Sequence, residues 1–246
     1  MKLYGLIGYP LGHSFSKEYF TDKFKRENLS DCVFEAFPIP SIAEFNDIVK
    51  DNPSLKGMGV TIPYKEQVLS FVDEQSEEVK AIGATNSIRI YQNKRIAYNT
   101  DIIGFEKSFC KYLKPIHKKA LVLGTGGASK AVQYVLKKLQ INYLVVTRDK
   151  TAIANSISYK DLDQQILNNY QVIINCTPVG MYPNENIAPE IPYEFLTSAH
   201  YLYDLVYKPK KTLFLERGEA AGATTENGYE MLLIQAEESW KIWNME

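Results

Sequence analysis

Cysteine is scarce in this 246-residue chain: Cys32, Cys110 and Cys176 are all there is, odd in number and far apart. That pattern excludes a disulfide framework and a cysteine-based zinc site, and it fits reduced thiols. Histidine is as rare, and His13, His117 and His200 are too scattered to suggest a metal ligand set. Neither sign of charge dominates, with a formal net charge of −1, so no global field draws nucleic acid or an anionic membrane. Apolar runs of about 18 residues are absent, which excludes an ordinary membrane span. The opening MKLYGLIGYPLGHS is broken by glycines and a proline before it can form a secretory signal core. Repeats and low-complexity segments are missing too. The expectation is a soluble, cytoplasmic protein with no metal, no nucleic-acid partner and no membrane partner, a monomer or homodimer acting on a small molecule. Its length accommodates one large domain or two of about 120 residues.

What is present is an alternation of short β-like and helical runs. KLYGLIG, CVFEAFPI and GMGVTI read as strands. SFSKEYFTDKFKREN and SIAEFNDIVKD read as helices, with Phe15, Tyr19, Phe20 and Phe24 on one face of the first and Ser41 capping the second. NSIRIYQNKRIAYN predicts a hairpin turning at Gln92 to Lys94. TDIIGFEKSFCKYL is a helix, and KPIHKK reads as a polar linker. The rhythm then restarts with ALVLG (strand), GASKAVQYVLKKLQ (helix) and NYLVVT (strand), followed by strands QVIIN and YLYDLV and helix KKTLFLERGEAAG. YEMLLIQAEESWKIW closes the chain as an amphipathic helix. Such alternation predicts parallel sheets covered by helices. The fold class expected is α/β with two domains and a cleft between them.

VLGTGGASKA, residues 122–131, carries Gly124, Gly126 and Gly127 directly after a strand and directly before a helix. Glycines there let backbone amides approach a pyrophosphate at the helix N-terminus. The fingerprint's third glycine is replaced by Ser129, with small Ala128 and Ala131 beside it. An NAD enzyme usually places an acid about 20 residues on, against the ribose 2′-hydroxyl. Here the second strand ends in Thr147 and Arg148, with Lys150 near. Arginine suits a 2′-phosphate, whereas Asp149 pulls towards NAD. The reading is NADP binding.

In the first half, Ser14 and Ser16 stand at a strand-to-helix junction, where hydroxyls hold a carboxylate or merely cap a helix. VTIPYKE supplies Thr61 and Lys65; a lysine at a helix start is either solvated surface or a proton carrier whose pKa the helix dipole lowers. Asn86 sits just inside a strand, where an amide is unfavourable, and Asp101 at a helix start.

The order GYPLGHSFS, VTIPYKE, GATNSI, YNTDIIGF, LGTGGASKA, INCTPVGM, YDLVYKP and NGYEMLLIQA resembles the shikimate/quinate dehydrogenase family across nearly the whole chain. The resemblance implies a substrate-binding catalytic domain, 1–101 plus 228–246, with a mostly parallel sheet. It implies a Rossmann-type NADP-binding domain over 102–227. The implied activity is shikimate dehydrogenase: oxidoreduction at a CH–OH carbon with NADP, on the chorismate route to aromatic amino acids. Lys65 and Asp101 would be the catalytic pair. Ser14, Ser16, Thr61, Asn86, Tyr207 and Gln235 would contact substrate. Gly124, Thr125, Gly126, Gly127, Ala128, Thr147, Arg148, Thr177, Val206, Gly228 and Met231 would hold the cofactor. Two departures stand out: family members commonly carry asparagine where Gly59 stands, and their Asn-Arg-Thr is here Thr147, Arg148 and Asp149. The alternatives are an NAD-using quinate/shikimate dehydrogenase and a non-catalytic relative that senses shikimate or cofactor.

Overall fold

A computed structural model describes residues 1–12, 15–148 and 155–245. It divides the chain into two compact units, Met1–Thr100 with Gln235–Glu246, and Asp101–Ile234.

In the first unit, β1 (Lys2–Gly8) lies between β2 (Cys32–Pro38) and β3 (Leu55–Val60), parallel to both. β5 (Ser87–Tyr91) and β6 (Lys94–Tyr98) extend the sheet antiparallel, and β4 (Glu74–Gln75) closes it alongside β6, giving the order β2-β1-β3-β5-β6-β4. The hairpin turns on Gln92 and Asn93, both at positive φ, the two-residue geometry whose twist matches the flanking strands. Alternation along β1 sorts its side chains. Tyr4 and Leu6 pack with Phe20 and Phe24 of α1 (Phe15–Arg26) and with Ala236, Ile242 and Trp243 of α8 (Tyr229–Trp243). Ile7 packs on the other face with Met58, Val60, Ile88 and Phe45, the last from α2 (Phe45–Asp51). Ser41 caps the short 3-10 turn ahead of α2, in a capping box with Glu44.

One element of this unit breaks the polar-outside rule. Lys23 of α1 is only 4% exposed and its Nζ meets Glu27 at 2.9 Å and Glu237 of α8 at 2.8 Å. Tyr19 also donates to Glu237. A buried cation is tolerated only when paired, so this cluster specifies which turn of α8 faces α1.

In the second unit the six strands among the described residues are all parallel, in the order β12-β11-β10-β7-β8-β9. These are β7 (Lys119–Leu123), β8 (Asn142–Thr147), β9 (Ser156–Ser158), β10 (Val172–Asn175), β11 (Tyr201–Asp204) and β12 (Thr224–Asn227). This is the doubly wound Rossmann order, and the crossover reverses between β7 and β10, where such sheets bind ligands outside the strands' carboxyl ends. α4 (Asp101–Phe109), α5 (Gly127–Lys138) and α7 (Leu213–Ala220) are the longer helices wholly within this unit. Short elements with little periodicity, α3 (Glu77–Ile82), α6 (Gln164–Asn169), β4, β9 and β12, escape a reading based on apolar pattern.

The KPIHKK segment is not a connection between units: the chain crosses from one to the other at Thr100/Asp101 and again at Ile234/Gln235. The segment is a turn locked by buried His117, whose Nδ1 accepts from the Lys114 N–H at 3.0 Å and whose Nε2 lies 3.2 Å from the Ala199 carbonyl. This pattern requires a neutral ring, and burial holds its pKa below the usual histidine value. A depressed pKa contributes stability that is present above the unfolded value and lost as pH falls through the folded one. Wild type should therefore lose more Tm than His117→Asn between about pH 7 and about pH 5. Equal losses in a thermal scan would remove His117 from the acid response. Among the described residues no helix is long and apolar enough to cross a membrane.

Candidate active site

The first unit assembles its candidate residues at the carboxyl ends of β1 and β3 and around Asn86. The Thr61 N–H continues the ladder to the Ile7 carbonyl at 3.0 Å, and the Tyr9 N–H bonds back to the Ile62 carbonyl at 3.0 Å. Half-buried Lys65 ends this loop, its carbonyl accepting from the Thr85 N–H at 2.8 Å, beside Asn86. Buried Asn86 stands in the bend just before β5 and not inside the strand as expected, because its amide ties that bend down: Oδ1 accepts the Thr100 N–H at 2.7 Å, while Nδ2 donates to Thr100 Oγ1 at 2.9 Å and Gln235 Oε1 at 3.2 Å. Gln235 thus turns inward, although its apolar neighbours on α8 left a solvent-facing position open. Thr100 and Ser239, joined at 3.0 Å, complete this buried network; nothing in their spacing marks them in the sequence. Ser16 lies in the first turn of α1, half-buried, and Ser14 falls outside the described residues.

Gly59, where the family carries asparagine, leaves no hole. A Cβ there would stand 3.0 Å from Leu6 Cδ1, so an apolar side chain occupies the direction an amide would take.

In the second unit, Asp101 opens α4 and is 5% exposed; a carboxylate suits the positive end of a helix. The glycine loop leaves β7 through Gly124 at φ +102, a conformation that side-chain-bearing residues rarely adopt. A Cβ at Gly124 would come within 2.8 Å of Thr177 Cγ2, so the loop and the segment after β10 close on each other across the switch point. Thr125 and Gly126 are exposed, Gly127 and Ala128 half-buried. The α5 N-cap, Gly126, makes no side-chain cap hydrogen bond, and no acid stands in the first turn. Backbone donors and a positive dipole end with no competing carboxylate fit a pyrophosphate. Ser129, at the position of the missing glycine, is buried and donates to the Gly124 carbonyl at 2.7 Å, so it braces the loop. Thr147 ends β8 and exposed Arg148 follows. Burial pushes the Tyr159 phenol up to about 12, against which the Arg148 charge works. Asp149 and Lys150 lie outside the described residues.

Beyond β10, Thr177 donates through its N–H and its hydroxyl to Asn175 Oδ1, at 3.0 and 2.6 Å. Val206, buried, and half-buried Tyr207 follow β11. The Gly228 N–H bonds the Val206 carbonyl at 3.3 Å, and a Cβ at Gly228 would run into the Leu205 carbonyl. Glycine is therefore required by close approach. Buried Met231 lies in the first turns of α8.

Residues 6–88 match the shikimate dehydrogenase substrate binding domain. A shikimate dehydrogenase (NADP(+)) from Caldicellulosiruptor saccharolyticus is 37% identical, over 98% of this chain and 91% of that protein. One from Staphylococcus haemolyticus is 38% identical with the same coverage. Among solved structures, a shikimate 5-dehydrogenase from Thermus thermophilus in complex with NADP(H) and shikimate superposes with a TM-score of 0.87 at 26% identity, covering 99% of this chain and 94% of that one. With full-length relatives at this identity, carrying the motifs whose geometry is described above, the chain belongs to the shikimate dehydrogenase family.

Proposed function

We propose that the chain catalyses the reversible NADPH-dependent reduction of 3-dehydroshikimate to shikimate. The observation that carries this reading is the Asn86–Gln235 contact at 3.2 Å, which joins two substrate-binding candidates 149 positions apart. Single surface residues or helix caps have no reason to converge in this way. NADP(H) supplies the hydride equivalent, exchanged between C4 of its nicotinamide and C3 of the substrate. Lys65 gives a proton to the oxygen on C3 in the reducing direction and takes it back in the oxidising one, and Asp101 orients the lysine. Thr61, Asn86, Tyr207 and Gln235 hold ring hydroxyls, and Ser14 with Ser16 the carboxylate. The Gly124–Ala128 loop cradles the pyrophosphate, with Thr147 and Arg148 at the 2′-phosphate and Val206, Gly228 and Met231 at the nicotinamide.

The reading is tested by following nicotinamide absorbance with shikimate and quinate, each against NADP and NAD. Shikimate with NADP should lead. Comparable rates with NAD or quinate would place the chain with the broader dehydrogenases, the reading Asp149 favours. Silence in all four mixtures, with folded protein, would point to a sensor, against which the retention of both Lys65 and Asp101 speaks. Arg148→Ala should raise KM for NADP roughly tenfold or more, the value of a charged hydrogen bond, and leave KM for NAD nearly unchanged. Equal effects on both cofactors would take Arg148 off the phosphate.

A further inference from the structure

Asp204, at the end of β11, is fully buried and has no part in the substrate and cofactor contacts assigned above. Its carboxylate nevertheless gathers three segments. Oδ1 accepts from Asn175 Nδ2 at 2.9 Å and from the Val206 N–H at 3.0 Å, and Oδ2 accepts from Thr212 Oγ1 at 2.6 Å. Asn175 and Thr212 are likewise fully buried. Asn175 passes the link on, since its Oδ1 receives both Thr177 donors while Thr177 Oγ1 receives the Val179 N–H at 3.3 Å. Thr212 caps α7 through the Leu215 N–H, and its Cβ lies 3.5 Å from where a Cβ on Gly180 would stand. Val206 in turn holds the Gly228 N–H.

We propose that Asp204 is a positioning residue for the cofactor side of the second unit, setting Thr177, Val206 and Gly228 at once through a single carboxylate. The inference rests on the cofactor reading of those three residues given above. A buried carboxylate is a costly way to join three segments, and an amide would keep the bonds from Asn175 and Val206 and reverse the one with Thr212, at neutral charge. Desolvation pushes the Asp204 carboxyl up to about 6, against the pull of its three donors. The other titratable groups that feel this charge are the Cys176 thiol and the Tyr193 phenol, with the Arg217 guanidinium 4.8 Å from the Tyr193 ring centre.

The test is NADPH affinity, read by cofactor fluorescence in the full-length protein, beside Tm and the two KM values. Asp204→Ala should weaken NADPH binding roughly tenfold or more, as loss of charged hydrogen bonds does, with KM for shikimate changed less than about twofold. Asp204→Asn should restore affinity, because its Oδ1 still accepts from Asn175 and Val206 and its amide donates to Thr212. It should also raise Tm at about pH 7 and lose that advantage progressively as pH falls to about 4, since the cost of the native carboxylate builds up between the ordinary carboxyl pKa and the elevated folded one. If Asp204→Ala does not fold, Asn175→Ala keeps the Val206 and Thr212 bonds to Asp204 and removes its link to Thr177, along with the Asn175 amide's bond to the Val179 carbonyl; it too should weaken NADPH. Unchanged NADPH affinity in the folded alanine variants, or Asp204→Asn as weak as Asp204→Ala, would overturn the inference. Wild type that binds no NADPH would overturn the cofactor reading itself.

Discussion

Lys65→Ala is expected to lower kcat by about 10²–10⁴, the range for a lost general acid–base group, with Tm and NADPH affinity nearly unchanged. The effect should be confined to turnover because the bond from the Thr85 N–H is accepted by the Lys65 carbonyl. That backbone bond survives truncation of the side chain. The residue is half-buried at the end of the loop after β3 and belongs to neither hydrophobic cluster of the first unit. Lys65→Arg separates charge from proton transfer: the guanidinium keeps the cation but does not deprotonate at any working pH. If the lysine relays a proton, the arginine variant should be nearly as slow as the alanine one. Full turnover in Lys65→Ala would remove this residue from the mechanism, and full rescue by arginine would reduce its role to electrostatics.

Gly124→Ala should raise the NADPH dissociation constant roughly 10–100-fold and lower Tm by a few degrees, the cost of a strained backbone being about 1–3 kcal/mol. Two causes act together at this position. The φ of +102 is unfavourable for any residue with a Cβ, and the new methyl would stand 2.8 Å from Thr177 Cγ2 and 3.5 Å from the Cys176 carbonyl. A double variant separates them. Thr177→Ser removes the offending methyl and keeps the hydroxyl that donates to Asn175, so Gly124→Ala with Thr177→Ser should recover only the part of the loss that comes from contact. Complete recovery would show that the backbone conformation costs nothing. Cofactor affinity unaffected by Gly124→Ala would mean that the loop is an ordinary strand-to-helix turn.

Much of the fold was legible because it follows from local periodicity. β1, α5, β8 and α8 match the runs KLYGLIG, GASKAVQYVLKKLQ, NYLVVT and YEMLLIQAEESWKIW to within a residue or two, since the helices carry a helical apolar pattern and the strands are short apolar runs buried on both faces. The 3-10 turn and helix starting at Ile42 follow their Ser41 cap, and the hairpin turns where its polar pair stands. The six-residue α6 and four-residue β12 were not legible. Their form depends on neighbours: β12 is polar and exists because β11 offers it a parallel edge. KPIHKK misleads for a related reason. Its polar composition looks like a linker, but His117 satisfies its ring nitrogens inside the turn and against Ala199, a partner 82 positions away.

The same division runs through the site. Motif spacing alone places Gly124, Gly126 and Gly127 between a strand and a helix, because backbone chemistry at a helix N-terminus is local. It also picks out Lys65 and Asn86 as residue types out of place for plain structure, whereas Asp101 suits a helix start and stands out only through the family resemblance. Sequence could not decide whether Gln235 faces solvent or Asn86, nor that Lys23 is buried against Glu237, because each depends on which turn of α8 meets the first unit. Nor could it tell Asp204 from any other acid at a strand end. A carboxylate's role is set by how many donors meet it and how little water does; the Val206 donor is local, two residues on, but Asn175 comes from the neighbouring parallel strand β10 and Thr212 from the cap of α7, and only tertiary packing brings those to it.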